Sequence, residues 1–320
     1  MSFLKLLSYA LRAGTAGLFL VLVCAAAARA QGPAPESAPP LFPGGALLSY
    51  NSIFTTRGAP ADSTGATPPT ARPTFSHEGL FNFTWGFRRD FDLTVLAPVV
   101  TNHFQFSGAN GSPVLGGTGL GDAMLLIKYR FYRRDSERGT TQASIMLGPK
   151  FATGRTDLND SRRIRLPASL QPGSGSTDFF IAVNWTYTGL FNYKRLVADE
   201  HLHSLLRSQG TQATRLGRSV ESRTWLSYRP YQSANVGREW FIGPALTWIH
   251  SQDDRIRGIT QNGSGGDALL AGVTTYFGVR PGTHVWLGMD WDVAHTTGAT
   301  FQPVRRHISF GITQQFRLHR

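Results

Sequence analysis

The segment Asp199-Glu200-His201-Leu202-His203 gathers two carboxylates and two imidazoles, side chains that commonly hold zinc. Its two histidines stand two residues apart in the chain, whereas a zinc-binding helix of the H-E-x-x-H type places them four apart. This spacing favours a solvated loop over a metal centre. We therefore predict no metal site here, and no cofactor elsewhere in the chain.

Nucleophilic hydrolysis would need a serine, a histidine and an orienting polar group within reach of one another. His307-Ile308-Ser309 places a histidine and a serine on one face of a strand, but no third member accompanies them, and His295 has no serine arranged beside it. The sequence also contains no Gly-x-Ser-x-Gly elbow. We predict that the protein is not an enzyme, with a lipid-modifying enzyme as the less favoured alternative.

Three short segments place glycines and one carboxylate just before a predicted strand: Gly119 to Asp122, Gly173 to Asp178, and Gly265-Gly266-Asp267. Clustered loop carboxylates can bind calcium. No dense spacing of oxygen ligands accompanies these glycines, so a structural role is favoured. In that role the glycines permit a bulge where a loop enters a sheet, and the aspartate accepts bonds from exposed backbone N–H groups.

Charged and imidazole side chains also recur within segments whose polarity alternates with a period of two, which is the signature of β-strands. The alternation places ten of them on the face opposite the apolar residues: Glu78, Asp92, Lys128, Arg130, Asp178, Arg223, Arg229, His284, Asp290 and Asp292. Both signs occur. They predict either ion pairs within an enclosed space, such as Arg130 with Asp178 or a contact of Asp290, or the lining of a solute path.

The elements that must position these residues are strands. The clearest run is Ala123 to Phe131, in which Leu125, Ile127 and Tyr129 alternate with Lys128 and Arg130. Similar patterns predict twelve strands, near residues 46–56, 75–87, 90–106, 121–132, 141–151, 178–187, 190–197, 220–229, 239–250, 267–277, 283–294 and 307–316. Ten or fourteen strands remain open, because the pattern is weakest between residues 190 and 223.

Alternation alone fits a soluble sandwich as well as a membrane barrel. The lengths of the connections separate the two, because long links alternate with short ones such as Arg88-Arg89 and Thr188-Gly189. Long extracellular loops, short periplasmic turns and an even strand number are typical of an outer-membrane barrel. We predict an all-β fold, a closed antiparallel transmembrane β-barrel, with the long loop Ala152 to Thr177 able to fold inward as a constriction.

Aromatic residues cluster where the predicted strands approach the short turns. An aromatic girdle at a membrane interface needs this placement. The set comprises Trp85, Phe87, Tyr129, Phe131, Trp185, Tyr187, Tyr228 and Tyr276. We expect their side chains to face lipid.

The N-terminus divides into a basic start with Lys5 and Arg12, an apolar run and the small-residue stretch that ends at Ala30. This order predicts a secretory signal peptide, residues 1–30, cleaved before Gln31. A Pro-rich periplasmic lead-in, 31–45, and the barrel, 46–320, would follow. The expected location is the bacterial outer membrane, and the expected partners are outer-membrane lipid, lipopolysaccharide and the barrel-assembly machinery.

The formal charge of +12 falls to +9 when the predicted leader, with Lys5, Arg12 and Arg29, is removed. A basic protein can suggest nucleic acid. Here the arginines are spread over many separate turns and loops instead of lining one stripe, and an exported protein rarely meets DNA. We therefore predict no nucleic-acid partner.

Several motifs resemble a family of outer-membrane transporters known as the MetA-pathway of phenol degradation family. They are Gly119-Leu120-Gly121-Asp122 leading into Lys128-Tyr129-Arg130-Phe131, Gly148-Pro149-Lys150 with Phe151-Ala152-Thr153-Gly154, and Leu166-Pro167 with Gly173-Ser174-Gly175-Ser176-Thr177-Asp178. The resemblance implies an outer-membrane barrel that takes up small hydrophobic or aromatic solutes. The motifs are structural, so it assigns no substrate residue. A non-transporting structural or scaffold barrel is the alternative.

Overall fold

The computed structural model describes residues 37–58, 74–105, 114–160, 163–193, 195–232, 239–296 and 303–318. The predicted signal peptide with its cleavage site, and residues 31–36 of the predicted lead-in, lie outside the described residues. No helix in the described part of the chain is long and apolar enough to cross a membrane.

The described chain is built from strands and three short 3-10 turns. In chain order the strands are β1 Gly45–Arg57, β2 Thr74–Arg88, β3 Phe91–Gln105, β4 Val114–Leu120, β5 Met124–Ser136, β6 Gly139–Lys150, β7 Asp178–Thr188, β8 Leu196–Leu206, β9 Thr214–Arg215, β10 Ser219–Gln232, β11 Glu239–Ser251, β12 Arg255–Ile256, β13 Ile259–Thr260, β14 Gly266–Arg280, β15 Thr283–His295 and β16 Val304–Arg317. The 3-10 turns are Ala168–Leu170, Leu190–Asn192 and Thr211–Ala213.

The long strands pair with their neighbours in chain order, and β1 pairs antiparallel with β16 to close the ring. The result is a closed antiparallel barrel of twelve wall strands, which confirms the predicted fold class. Closure gives the long wall strands backbone partners on both sides, as lipid requires, whereas the short strand β4 pairs with β3 alone. The short strands β9, β12 and β13 form a separate small sheet in the long loops.

One wall strand is interrupted. The second half of β3, from Val99 onward, pairs with β4, and Val99 lies opposite Leu120. The first half of β3, up to Leu96, pairs with β5, and Leu96 lies opposite Met124. Between β4 and β5 the Gly121 N–H bonds the carbonyl of Pro98 at 2.9 Å, which keeps the break against the wall. The prediction of a single strand from 121 to 132 therefore missed β4.

The predicted strand near 190–197 is wrong. Residues 190–192 form a 3-10 turn after Gly189, whose φ of +96° suits a glycine, and the strand that follows is β8, Leu196–Leu206. Periodicity failed here because the outward face of β8 carries Glu200 and Ser204 among its apolar residues. The segment 199–203, predicted as a solvated loop, is consequently part of the barrel wall.

The two faces of the wall differ in polarity. On β5 the side chains of Leu126, Lys128 and Arg130 are buried, while those of Ile127 and Phe131 are 44% and 53% exposed. Large apolar side chains are exposed in the same way along β2, β7 and β15. An exposed apolar face and a buried polar face are the reverse of a soluble protein and match a barrel embedded in lipid.

Candidate functional site: the barrel interior

The register places the ten predicted side chains on the enclosed face of their strands. Asp92 lies opposite Lys128, and each of Asp92, Lys128, Arg130, Asp178, Arg229 and Asp290 is less than 9% exposed. Glu78, Arg223, His284 and Asp292 on the same face are partly buried. The structure distributes them over the two ends and the middle of the lumen and does not gather them into one centre.

At the short-turn end, residues 37–44 cross the mouth of the barrel before β1 begins. Lys128 Nζ donates to the Ser37 carbonyl at 3.0 Å, and the Leu41 N–H donates to Asp92 Oδ2 at 3.3 Å. The Ala38 N–H donates to Thr186 Oγ1 at 3.0 Å. These partners stand on β3, β5 and β7, so the segment is anchored to one side of the wall and narrows the opening. Sequence periodicity gave no signal for this, because the segment has no regular structure.

Arg130 lies at the same mouth but does not pair with Asp178. Its guanidinium bonds Asp90 Oδ1 at 2.5 Å and Gln142 Oε1 at 2.7 Å. The predicted pair Arg130–Asp178 is therefore wrong, because Asp178 begins β7 near the opposite end of the lumen. Arg130 instead ties the β2–β3 turn to β5 and β6.

An aromatic cluster lines the lumen beside this mouth. Buried Val197, Trp225, Phe241, Ala245 and Tyr276 pack together, with Trp286 against them. Two further charged or polar side chains complete it: Arg229 lies over the Phe241 ring at 5.7 Å, and His284 stacks on Tyr276 at 5.0 Å. The expectation that Tyr276 belongs to a lipid-facing girdle is wrong, whereas Trp85, Phe87, Tyr129, Phe131 and Trp185 are outward and exposed.

Trp286 lies flat against the inner wall. Its indole N–H donates to Asn51 Oδ1 at 3.3 Å across β16, whose Gly311 stands beneath the ring. A Cβ at Gly311 would come within 2.3 Å of Trp286 Nε1. Only glycine at this position allows the ring to stay against the wall, which leaves its other face toward the lumen.

The segment 199–203 contributes to the interior. Asp199 lies opposite Trp225 in the register, and its Oδ1 accepts a bond from Thr186 Oγ1 at 2.6 Å. The ring nitrogen Nδ1 of His201 lies 2.5 Å from Asn184 Oδ1. Within the described ranges no three metal-ligating side chains come together. The alternation of Asp199, His201 and His203 is the one signal in the sequence that could have indicated a strand here.

At the long-loop end a buried lysine joins three segments. Lys150 Nζ lies 2.5 Å from Asp122 Oδ2, 2.9 Å from Asp178 Oδ2 and 2.6 Å from Ser174 Oγ. Asp122 also accepts the N–H groups of Gly154 and Ser174, and Asp178 accepts that of Ser208 at 2.8 Å. These two aspartates therefore have the predicted structural role. Asp267 differs, because its Oδ1 bonds His250 at 2.9 Å.

The loop between β6 and β7 folds against the inner wall, as predicted for residues 152–177. Asn102 Nδ2 donates to the Leu170 carbonyl at 3.4 Å, and a Cβ on Gly117 would come within 2.4 Å of Leu158. The loop also crosses itself where Gly154 and Gly173 meet backbone to backbone: a Cβ on Gly173 would lie 2.4 Å from the Gly154 carbonyl carbon. The motif glycines at these two positions are thus required by close approach.

Between the ends, ion pairs join separate strands. Arg223 Nη1 on β10 lies 3.2 Å from Asp290 Oδ2 on β15, and its Nη2 donates to Thr274 Oγ1 at 3.1 Å. Asp292 bonds Arg305 at 2.6 Å and His295 at 2.9 Å. Asp290 thus makes an interior contact of the kind expected from the sequence.

This fold, with its exposed apolar exterior and polar, partly filled lumen, defines the molecule as a β-barrel of the outer-membrane type. Its structure is similar to that of the COG4313 outer membrane channel from Pseudomonas putida F1, with a TM-score of 0.65 and 14% identity over 88% of this chain and 99% of that one. The beta domain of the Bordetella autotransporter Brka gives a TM-score of 0.49 and 10% identity over 85% of this chain and 100% of that one. The likeness to the Pseudomonas putida channel, at 14% identity, indicates a shared fold alone. No family model and no curated protein matches the sequence.

Proposed function

We propose that the barrel is a non-enzymatic channel that lets small apolar or aromatic solutes cross the outer membrane. The observation that carries this proposal is the aromatic cluster of the lumen. Trp225, Phe241, Tyr276 and Trp286 face an interior that the general pattern of such barrels would make polar. Aromatic faces bind flat apolar molecules by stacking and edge-to-face contacts.

Two further considerations support the proposal. The similar structure from Pseudomonas putida is named as an outer membrane channel. The motifs around Asp122, Lys150 and Asp178 resemble a transporter family connected with phenol degradation. In this proposal the ten charged side chains set the polarity of the lumen around the aromatic cluster. Lipopolysaccharide and the assembly machinery are proposed partners of the barrel as a membrane protein.

The alternative is a barrel that transports nothing and serves as a structural or scaffold protein. Two contacts favour it. The Arg223–Asp290 pair links β10 to β15 along one side of the lumen, and residues 37–41 occupy part of the short-turn mouth. A lumen closed permanently by these contacts would pass no solute.

Flux into proteoliposomes distinguishes the two. We expect the purified barrel to admit a small aromatic solute faster than a sugar of similar size. Trp225→Ala, which removes an inward ring, should change that preference, whereas Trp291→Ala, which removes an outward and 42% exposed ring, should leave it unchanged. Absence of solute-dependent flux, in vesicles where a known channel of similar size conducts, would establish the non-transporting alternative.

A further inference from the structure

Three arginines surround a cavity among the long loops. The cavity has a volume of about 280 Å³, and its lining includes Arg215, Arg218, Arg255, Gln252 and Asp253. It lies where the loop before β10 meets the loop after β11, outside the barrel wall. None of the residues that line this cavity belongs to the aromatic cluster of the lumen.

Two of these arginines are held opposite each other by the backbone. Arg215 on β9 and Arg255 on β12 are register partners in the small antiparallel sheet. Directly opposed side chains in such a pair have Cβ atoms about 4.5–5.5 Å apart, and like charges in these positions destabilise the sheet. An anion that lies between the two guanidinium groups would offset this repulsion.

The described carboxylates do not neutralise the arginines. Asp253 Oδ1 accepts the Gly265 N–H at 2.7 Å, and Asp254 Oδ1 accepts the Gly217 N–H at 2.6 Å. Among the residues that the structure describes, none forms an ion pair with Arg215, Arg218 or Arg255. The residues that line the cavity therefore include three arginines and one acidic residue, Asp253.

The base of the cavity is held by backbone contacts. The Gln252 N–H donates to the Arg218 carbonyl at 2.9 Å, and the Arg257 N–H donates to the Ala213 carbonyl at 2.9 Å. A Cβ at Gly217 would lie 1.8 Å from the Gln252 carbonyl oxygen, so the two loops touch there. The arginines thus project from a joined pair of loops and not from two independent ones.

We propose that Arg215, Arg218 and Arg255 bind an oxyanion of the phosphate or carboxylate type. Guanidinium groups donate paired N–H bonds that match the oxygens of these anions. Two sources supply this chemistry at the outer face of an outer membrane: the phosphate groups of lipopolysaccharide and small anions in solution. The site is separate from the solute path and does not depend on transport.

Calorimetric titration of the full mature protein in detergent tests the site and separates the sources. One arm uses inorganic phosphate, and the other compares phosphorylated with dephosphorylated lipopolysaccharide in micelles. Saturable binding in the first arm identifies a small anion as sufficient. Binding only of phosphorylated lipopolysaccharide identifies the lipid headgroup.

The triple variant R215Q/R218Q/R255Q should weaken the observed binding by at least about tenfold, because it removes all three charge-assisted contacts. The matched control R88Q/R134Q/R138Q removes the same charge from exposed arginines at the short-turn end and should bind as the parent does. If the triple variant does not fold, the same titration is made with the three single variants R215Q, R218Q and R255Q, each of which should bind more weakly than the parent protein. No saturable binding in either arm, or an equal loss in the control, would overturn the proposal.

Discussion

Lys150 shows how a single buried charge organises the long-loop end. Its ammonium is 5% exposed and lies between the carboxylates of Asp122 and Asp178, which are 6% and 0% exposed. Burial of two carboxylates is tolerated only with a cation and hydrogen-bond donors beside them. The pairing therefore links the start of β5 and the start of β7 to the end of β6.

Lys150→Met should lower the free energy of unfolding by about 3–5 kcal/mol, because it leaves both carboxylates buried without their cation. Urea titration of the folded barrel in detergent, followed by tryptophan fluorescence, measures the change. The comparison is Arg155→Gln, which breaks the exposed pair Arg155–Asp157 and should alter stability little. If the two variants unfold at the same urea concentration, Lys150 does not stabilise the barrel by neutralising the two carboxylates.

Asp290 and Arg223 make a second prediction at the same scale. Asp290→Asn leaves the Arg223 guanidinium uncompensated in the lumen, so the proposed channel should become more selective for anions. Arg223→Gln should shift selectivity the opposite way.

The reversal potential across a salt gradient in a planar bilayer measures these shifts. Asp135→Asn removes a carboxylate at the short-turn end whose side chain is 52% exposed, and it serves as the control. If the preference for anions over cations is unchanged in both lumen variants, the ions do not pass close to the Arg223–Asp290 pair.

Among the elements, residues 37–44 matter most for passage, although they form no strand. They hold to the wall through Asp92, Lys128 and Thr186, whose strands also bear the polar lining. A segment held by a few hydrogen bonds can be removed without disturbing the pairing of β1 with β16.

Deletion of residues 31–41 should raise single-channel conductance and the flux of small solutes, because it removes the backbone that crosses the mouth. A deletion of 31–36 keeps the three hydrogen bonds named above and should conduct as the full chain does. Both proteins should show the same shift on heating in gel electrophoresis, which reports a folded barrel. Equal conductance of the two deletions would mean that the segment does not limit passage.

For the whole molecule, stability in the membrane depends on the apolar exterior. Val183, in the middle of β7, and Val279, next to the β14–β15 turn, are 40% and 46% exposed on that face. Their heights differ, and the penalty for a charge in lipid depends on depth.

Val183→Arg should therefore destabilise the barrel by about 2–4 kcal/mol, and Val279→Arg by about 0–1 kcal/mol. Unfolding equilibria in lipid vesicles give both values. Similar penalties at the two positions would contradict a membrane centred on the middle of the strands.

Most of the wall was predictable because alternation is a local property of a strand. Leu125 to Phe131 and Val285 to Val293 each show which face is apolar without reference to any other strand. Prediction failed at β8, where the outward Glu200 breaks the pattern and forms hydrogen bonds with Ser222 and Thr224 of the neighbouring strand. A polar side chain that finds its partner on another strand is invisible to periodicity.

The sequence by itself determined the class of fold, the closure implied by alternating long and short links, and the polarity of most wall faces, because these depend on neighbouring residues and on chain length. Only the tertiary structure decided which charges meet. Arg130 bonds Asp90, Lys150 bonds Asp178, and residues 37–41 enter the mouth. Such contacts depend on the register and tilt of strands that are far apart in the chain, and no local period encodes them.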